Sequence, residues 1–217
     1  MVPSNYVKRS LIFNGISKEK IYIVPYGANL NIEANKDHNV NGKTTKFLFV
    51  GQCTLRKGVN YLLKAFSELK EENIELTLVG SIDKSSEHYK EYCLHEKIKF
   101  YGHVTHDKMM QIYGEHDVFV FPSLSEGLTL AGLEAMGCGL PIICTTNSGI
   151  DDLVVDGENG FVIPICSCEK IKEKIVWFVK NKKLIPSMGE KARQSTKKYT
   201  WINYNKNISD ALDCMLK

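Results

Sequence analysis

Short apolar runs alternate with segments of helical period along almost the whole chain from residue 45 onward. The runs are rich in β-branched and aromatic residues, which is typical of strands that are buried on both faces. They predict strands at 46–51, 74–80, 98–102, 117–121, 140–146 and 160–164. The intervening patterns predict helices at about 59–70, 86–95, 106–115, 129–137, 168–181 and 185–197, with others at 4–14 and from 201. This alternation predicts an α/β fold, with a doubly wound, mostly parallel sheet that carries helices on both faces.

Three of the predicted strands end in glycine, at Gly51, Gly80 and Gly102. Glycine tolerates the backbone conformations of a sharp turn, so the chain is expected to reverse at the carboxyl edge of the sheet. Open α/β sheets bind their ligands at this edge. The architecture therefore predicts a ligand site in the loops that follow the strands.

The composition limits the partners that the chain can have. Its 28 lysines and arginines nearly balance its 25 acidic residues, for a formal net charge of +3, so a dedicated nucleic-acid-binding protein is not expected. No apolar run approaches the roughly 20 residues that cross a bilayer, and the first residues lack the layout of a signal peptide. Seven cysteines without regular spacing indicate reduced thiols in a cytosolic protein. Cys166 and Cys168 lack the other ligands of a zinc site and are expected to be half-buried thiols.

The segment SEGLTLAGLEAMGCGLP, residues 125–141, holds two acids in an otherwise apolar pattern. Thr129 is a predicted N-cap and Gly137 a predicted helix end, so Glu126 falls in the loop before the helix and Glu134 inside it. Eight helical residues span about 12 Å. Two acids at that separation, with helix N-terminal N–H groups between them, suit a ligand with hydroxyls at both ends and phosphates in the middle, such as a nucleotide-sugar. On spacing alone, the alternative stays open that Glu126 is solvated and Glu134 caps a helix or forms a salt bridge within the fold.

A second candidate ligand-binding segment, VGQCTLRKGVNYLL at 50–63, contains two adjacent cations. Arg56 and Lys57 precede a predicted helix, whose N-terminus is an unfavourable place for cations unless an anion joins them. A diphosphate would supply that anion, and two solvated basic residues on a turn are the alternative. The phosphate-binding pattern GxxxxGK[ST] and the dinucleotide pattern GxGxxG are both absent, so ATP hydrolysis is not supported.

These segments together resemble the family 4 retaining glycosyltransferases of the GT-B fold. EGLTLAGLEAMGCGLPII is similar to that family's signature of two glutamates separated by seven residues, and FVGQCTLRKGVNYLLKAF is similar to its upstream glycine–lysine segment. The resemblance runs from about residue 3 to 205 and includes VPSNYVKRSLIFNGISKEKIYIVPYGANL, KFYGHVTHDKMMQIYGEHDVFVFPS and SGIDDLVVDGENGFVIP. It implies a Rossmann-like domain that forms the C-terminal, donor-binding half of a GT-B enzyme.

The resemblance also implies roles for individual residues. Glu126 and Lys57 would be catalytic: Glu126 would contact hydroxyls of the transferred sugar, and Lys57 would neutralise the leaving nucleoside diphosphate. Glu134 would bind the ribose hydroxyls, and the turn at 102–104 would lie against the base. The residues implied in donor binding are Gln52, Arg56, Lys57, Val104, Glu126, Gly127, Leu128, Thr129, Leu130 and Glu134. Gln52 stands where the family commonly has arginine, and Arg56 could reach the same diphosphate. No metal and no cofactor are implied, because cationic side chains and helix dipoles stabilise the departing phosphates.

The expected organisation and partners follow from the same resemblance. Residues 1–28 would be a remnant of an N-terminal domain and linker, 29–199 the nucleotide-sugar-binding domain, and 200–217 a C-terminal helix. The implied reaction moves a hexosyl or N-acetylhexosaminyl group, from a UDP-sugar, to a glycan or lipid-linked acceptor in bacterial surface-polysaccharide synthesis such as that of lipopolysaccharide or O-antigen. The acceptor site would lie in the other domain, so the chain is expected to bind donor but transfer poorly by itself.

Two further expectations concern location and competing functions. The basic run at 169–198 is expected to be a packed surface helix region, with peripheral contact to anionic lipid at the inner face of the membrane as the alternative. The chain is otherwise expected in the cytoplasm. A non-catalytic nucleotide-sugar-binding module and a nucleotide-sugar epimerase of GT-B fold are the competing functions.

Overall fold

The computed structural model describes residues 1–30 and 43–215, so residues 31–42 of the predicted donor-binding domain and the last two residues of the C-terminal helix lie outside it. The strands are β1 (Thr45–Val50), β2 (Ile74–Val79), β3 (Ile98–Tyr101), β4 (Val118–Phe121), β5 (Ile142–Thr145) and β6 (Gly160–Ile163). They form one sheet in the order β3-β2-β1-β4-β5-β6, and every neighbouring pair is parallel. The predicted doubly wound parallel sheet is therefore confirmed.

Eight α-helices accompany the sheet in the described part of the chain. They are α1 (Asn5–Phe13), α2 (Val59–Glu68), α3 (Glu87–Tyr92), α4 (His106–Glu115), α5 (Leu130–Gly137), α6 (Cys168–Lys180), α7 (Ile185–Thr196) and α8 (Trp201–Met215). Helix α2 contacts α3 and α6, whereas α5 contacts α7 and is hydrogen-bonded to α4. Because crossovers between parallel strands are right-handed, these two sets of helices cover opposite faces of the sheet. No helix among the described residues is long and apolar enough to cross a membrane.

The core lies around the central strands β1, β4 and β5. Phe49 and Phe121 stack with ring centroids 6.0 Å apart, and both side chains are fully buried. The apolar stripe of α2 covers this region from one side, and its predicted members Val59, Leu62, Leu63, Phe66 and Leu69 are all buried. Central strands with helices on both faces need apolar side chains in both directions, which explains why their sequences are continuous apolar runs rather than alternating ones.

The strand order reverses between β1 and β4, and one glycine brings the loops after these two strands together. Gly58 has a φ of 69°, and a Cβ added to it would overlap the carbonyl oxygen of Pro122. Only glycine combines this left-handed conformation with so close a backbone approach. The loop at 51–58 therefore lies directly beside the loop at 122–129, at the point of the sheet where doubly wound folds bind ligands.

A few sequence-based boundaries and one burial prediction differ from the structure. Helix α3 is shorter than the predicted 86–95, because Ser86 is its N-cap and the helix ends before Cys93. Strand β5 begins at Ile142 rather than 140, since the N–H of Leu140 still bonds back to Ala135 at the end of α5. Cys168 is half-buried as predicted, but Cys166 is exposed, because it lies in the turn that precedes α6.

Candidate functional site

The loops after β1 and β4 bring two cations to one carboxylate. The ammonium group of Lys57 forms an ion pair with Glu126. The guanidinium of Arg56 donates to the carbonyl of Ser125 at 2.8 Å, and its Nη1 lies 3.4 Å from Glu126 Oε2. Lys57 Nζ also lies 5.2 Å from the centre of the Phe121 ring. Sequence spacing did not reveal this pairing, which connects positions about seventy residues apart.

Local backbone structure fixes the positions of these cations. Residues Leu55–Lys57 form a single 3₁₀ turn that ends at Gly58 in the left-handed conformation. The carbonyl of Arg56 accepts a hydrogen bond from the N–H of Leu124 at 2.9 Å, which ties this turn to the loop after β4. The backbone that carries the two cations is therefore fixed both by its own 3₁₀ turn and by the loop after β4.

The electrostatic balance of this cluster favours an anion. The side chain of Lys57 is 15% exposed and that of Glu126 is 21% exposed, whereas that of Arg56 is 57% exposed. Two cations thus face one carboxylate, and the more buried cation lies where water screens its charge least. Glu126 offsets only one of the two positive charges, and a bound phosphate group would offset the other.

The N-terminus of α5 adds hydrogen-bond donors next to this cluster. Thr129 caps the helix as predicted, and its hydroxyl accepts from the N–H of Gly132 at 3.2 Å. Within the described chain no group accepts a hydrogen bond from the N–H of Leu128. A helix N-terminus with free N–H groups attracts negative charge, so residues 127–130 are suited to an anionic ligand.

Glu134 lies in a different environment from Glu126. Its Oε2 accepts a hydrogen bond from the hydroxyl of Tyr113 at 3.2 Å, and that hydroxyl also lies 3.3 Å from the carbonyl of Ala131. Burial raises the pKa of Glu134, although the Tyr113 hydrogen bond and the charge of His106 oppose this shift. No cation forms a salt bridge with Glu134 among the residues described. The alternatives of an internal salt bridge at Glu134 and a solvated Glu126 are therefore not observed.

The remaining predicted site residues are less closely connected. Gln52 is exposed in the loop after β1, and Val104 is half-buried in the turn between β3 and α4. Leu128 and Thr129 are buried, whereas Leu130 is exposed at the first position of α5. Within the described chain, no hydrogen bond or ion pair joins Glu134 to the Lys57 cluster. The structure thus brings Arg56, Lys57 and Glu126 together and places Glu134 beside α4, the helix that follows the 102–104 turn.

Several residues that contact the site were not predicted from the sequence. Tyr113 binds Glu134, and Ser4 and Tyr6 of the N-terminal segment contact the loop of Glu126. Arg9 contacts Thr146 and Asp151, in the segment after β5. The pattern before α1 predicts a helix start at Ser4, but it contains nothing that points to a partner more than a hundred residues away. These contacts depend on the fold rather than on local spacing.

Many cations of the basic run at 169–198 have partners within the fold. Lys172 forms ion pairs with Glu68 at 2.8 Å and with Glu169 at 2.6 Å. Lys174 lies 4.4 Å from the centre of the Phe161 ring. Such intramolecular partners support the packed surface helix, and contact with lipid stays a prediction.

Among the described residues, no three histidine, cysteine or acidic side chains cluster as metal ligands do.

The fold is a doubly wound α/β domain, and the cluster of Arg56, Lys57 and Glu126 lies where its strand order reverses. Residues 31–195 match the family described as Glycosyl transferases group 1. The chain belongs to this family, and the family and GT-B fold predicted from the sequence are confirmed.

The chain is similar to curated glycosyltransferases of other organisms. The chain is 29% identical to an uncharacterized glycosyltransferase of Methanocaldococcus jannaschii, over 91% of this chain and 54% of that protein. It is 28% identical to the capsular polysaccharide biosynthesis glycosyltransferase CapM of Staphylococcus aureus, over 88% of this chain and 54% of that protein. The chain thus spans about half the length of these curated relatives.

Solved structures show the same fold. Anabaena HepE in complex with UDP-glucose superposes with a TM-score of 0.82 at 16% identity, covering 98% of this chain and 63% of that one. Sucrose-phosphate synthase from Thermosynechococcus elongatus superposes with a TM-score of 0.81 at 22% identity, covering 99% of this chain and 57% of that one. At these identities the similarity shows the fold.

Proposed function

We propose that this chain is the donor-binding domain of a retaining glycosyltransferase and that it binds a nucleoside-diphosphate sugar, in particular a UDP-sugar. The observation that carries the proposal is the cluster of Arg56, Lys57 and Glu126 beside the N-terminus of α5. The whole enzyme would transfer a hexosyl or N-acetylhexosaminyl group to a glycan or lipid-linked acceptor during synthesis of a bacterial surface polysaccharide. Two named relatives support this direction: CapM in capsular polysaccharide biosynthesis and HepE in complex with UDP-glucose.

The cluster can stabilise a leaving diphosphate without a metal ion. Lys57 supplies a partly desolvated positive charge, and the N–H groups at 127–130 supply donors that need no reorganisation. Glu126 accepts hydrogen bonds from hydroxyls of the transferred sugar, since an ionised carboxylate is a strong acceptor for paired hydroxyls. Lys57 and Glu126 are the residues to which we assign catalytic roles.

Glu134 and the 102–104 turn form the nucleoside end in this proposal. Oε2 of Glu134 accepts the hydrogen bond from Tyr113, whereas no hydrogen bond is formed by Oε1 in the described chain. A half-buried carboxylate with one free oxygen is suited to the hydroxyls of a ribose. Val104 lies in the turn between β3 and α4 and offers an apolar contact for a base.

We assign to Arg56 the charge that the family commonly supplies at the position of Gln52. Gln52 is exposed, and its amide can donate hydrogen bonds but carries no charge. Arg56 reaches the same carboxylate as Lys57, at 3.4 Å, so its guanidinium lies within the cluster. A planar guanidinium binds phosphate oxygens with two parallel hydrogen bonds, which suits a diphosphate.

Calorimetric titration of UDP into the 217-residue chain tests this function. Lys57→Ala removes a charge-assisted contact worth about 1.5–3 kcal/mol, so UDP affinity should fall by about 10- to 100-fold. Gln52→Ala is the matched control, because it truncates the same loop without removing a charge, and it should change affinity by less than about 3-fold. Arg56→Ala should fall between the two. Equal losses in Lys57→Ala and Gln52→Ala would contradict the assignment, and so would failure of the unmodified chain to bind UDP and GDP.

A further inference from the structure

Helix α1 buries none of its own residues, yet its N-terminal end lies against the loop that carries Glu126. Ser4, the N-cap of α1, is only 1% exposed, and its hydroxyl donates to the carbonyl of Gly127 at 2.5 Å. The same hydroxyl oxygen accepts from the N–H of Val7 at 3.4 Å. A Cβ added to Gly127 would lie 3.4 Å from Pro3, so the segment before α1 is in direct contact with this loop.

Two side chains of α1 extend the same contact. The hydroxyl of Tyr6 donates to the hydroxyl of Ser125 at 3.0 Å. Arg9 pairs with Asp151 at 3.6 Å, and a guanidinium nitrogen of Arg9 lies 3.5 Å from the carbonyl of Thr146. Helix α1 therefore touches the loop before α5 and also the segment after β5.

The segment after β5 holds the other side of the loop. The N–H of Glu126 donates to the carbonyl of Asn147 at 2.9 Å. Gly149 has a φ of 68°, and a Cβ added to it would overlap the carbonyl oxygen of Gly127. In turn, the carboxylate of Asp152 accepts from the N–H of Asn5, the first residue of α1, at 2.7 Å. Loop 125–127 is thus enclosed by α1 and by residues 146–152, which are also bonded to each other.

The Ser4 contact has a consequence for the ligand side of the loop. In a trans peptide the C=O and the following N–H point in opposite directions. When Ser4 binds the carbonyl of Gly127, the N–H of Leu128 is directed away from α1, and it has no acceptor in the described chain. The same bond keeps a carbonyl dipole from turning toward an approaching phosphate.

We infer that Ser4, Tyr6 and Arg9 are positioning residues for donor binding: they hold loop 125–127 so that the N–H of Leu128 and the carboxylate of Glu126 face the ligand. The inference rests on the proposed function and adds to it that α1 acts through the loop without touching the donor. A helix with no buried residue of its own contributes little to the core, so its contacts serve the loop that it covers.

Ser4→Ala tests this inference in the 217-residue chain. UDP affinity should fall by about 3- to 10-fold, which corresponds to one lost hydrogen bond. Amide hydrogen exchange at residues 126–130 should become faster in the absence of ligand, because the Gly127 peptide is no longer fixed. Ser10→Ala is the matched control: it makes the same chemical change on the exposed side of α1, and both measurements should stay as in the unmodified chain.

The outcomes separate the inference from the proposed function. If Lys57→Ala weakens UDP binding while Ser4→Ala changes neither affinity nor exchange at 126–130, the positioning role is wrong and the donor site stands. The role is also wrong if faster exchange is confined to α1 itself, because Ser4 would then act only as a helix cap. If the unmodified chain binds neither UDP nor GDP, the proposed function fails and the inference fails with it.

Discussion

Glu126 and Glu134 lie eight residues apart, yet only the charge of Glu126 is compensated by a cation in the described structure. Glu126 is in a loop and is neutralised by Lys57, with Arg56 nearby. Glu134 is in a helix, has a tyrosine hydroxyl as its partner, and its pKa is raised by burial. The fold compensates the charge of the first carboxylate and leaves that of the second in need of hydrogen-bond donors. Ligand hydroxyls would supply those donors, which is why the ribose assignment suits Glu134.

The two carboxylates also depend on different parts of the structure. The position of Glu126 depends on backbone contacts between loops, in which Gly58 and Gly149 allow approaches that a side chain would prevent. The position of Glu134 depends on core packing, because Tyr113 is fully buried between α4 and the sheet. Substitutions should therefore be able to disturb one end of the site and leave the other in place.

Gly58→Ala should have the largest effect on the loop end. Alanine would have to adopt a φ of 69° and its Cβ would overlap the backbone of Pro122, so the loop after β1 must shift. We expect a loss of about 3 kcal/mol or more in the free energy of unfolding, measured by urea denaturation. UDP affinity should fall at least as far as in Lys57→Ala, because Lys57 is the neighbouring residue.

Gly114→Ala is the control for this substitution. Gly114 lies inside α4, where an added Cβ meets nothing within 4 Å, and alanine should stabilise the helix by about 0.5–1 kcal/mol. If Gly58→Ala were tolerated as well as Gly114→Ala, the close contact of the two loops would not be required for the fold.

The sequence predicted the structural features that depend on residues close together in the chain. The strands, the buried stripe of α2 and the N-cap at Thr129 follow from apolar period and capping chemistry over a few residues. The parallel arrangement followed from the alternation of strands and helices. Boundaries were less accurate where helix and turn chemistry overlap, as at Leu140, whose N–H belongs to the end of α5 rather than to β5.

The site was predicted as a set of residues but not as a set of contacts. The Lys57–Glu126 pair was not predicted, because an ion pair between distant loops has no signal in spacing. Tyr113 was missed for a related reason, since an aromatic residue on the apolar face of a helix is indistinguishable from ordinary core until its hydroxyl has a partner. The sequence predicted a helix over 4–14, but the bond from Ser4 to Gly127 depends on how α1 lies on the domain.

Tyr113→Phe should have an intermediate effect, confined to the helix end of the site. It removes the hydroxyl that donates to Glu134 and lies near the carbonyl of Ala131, and the free energy of unfolding should fall by about 1 kcal/mol. The pKa of Glu134 should rise further, since the hydrogen bond that stabilises its charged form is lost. Urea denaturation and a carboxyl carbon NMR titration measure the two effects.

Tyr89→Phe makes the same chemical change at a half-buried tyrosine whose ring packs edge-to-face with Phe100 and whose hydroxyl has no bond in the described chain. It should leave both the stability and the Glu134 titration as they are. An unchanged Glu134 titration in Tyr113→Phe would show that the Tyr113 hydrogen bond does not contribute to this pKa.

The smallest predicted effect is a pH-dependent difference in stability between Glu134→Gln and the unmodified chain. Burial raises the folded-state pKa of Glu134 above its unfolded value, so this group favours folding most when it is protonated and loses that contribution as pH rises through the folded pKa. Glutamine keeps an acceptor for Tyr113 and carries no charge. Glu134→Gln should therefore melt above the unmodified chain at about pH 7, and the gap should close as pH falls until the carboxyl is protonated in both the folded and the unfolded state.

Glu126→Gln sharpens this last prediction, because the same chemical change should have the opposite sign at the other carboxylate. At neutral pH it leaves Lys57, whose side chain is only 15% exposed, without its anionic partner, so the chain should lose up to about 1 kcal/mol and melt about 2–4 °C lower. Equal shifts of the same sign in the two variants would show that the fold does not distinguish the two carboxylates by charge compensation.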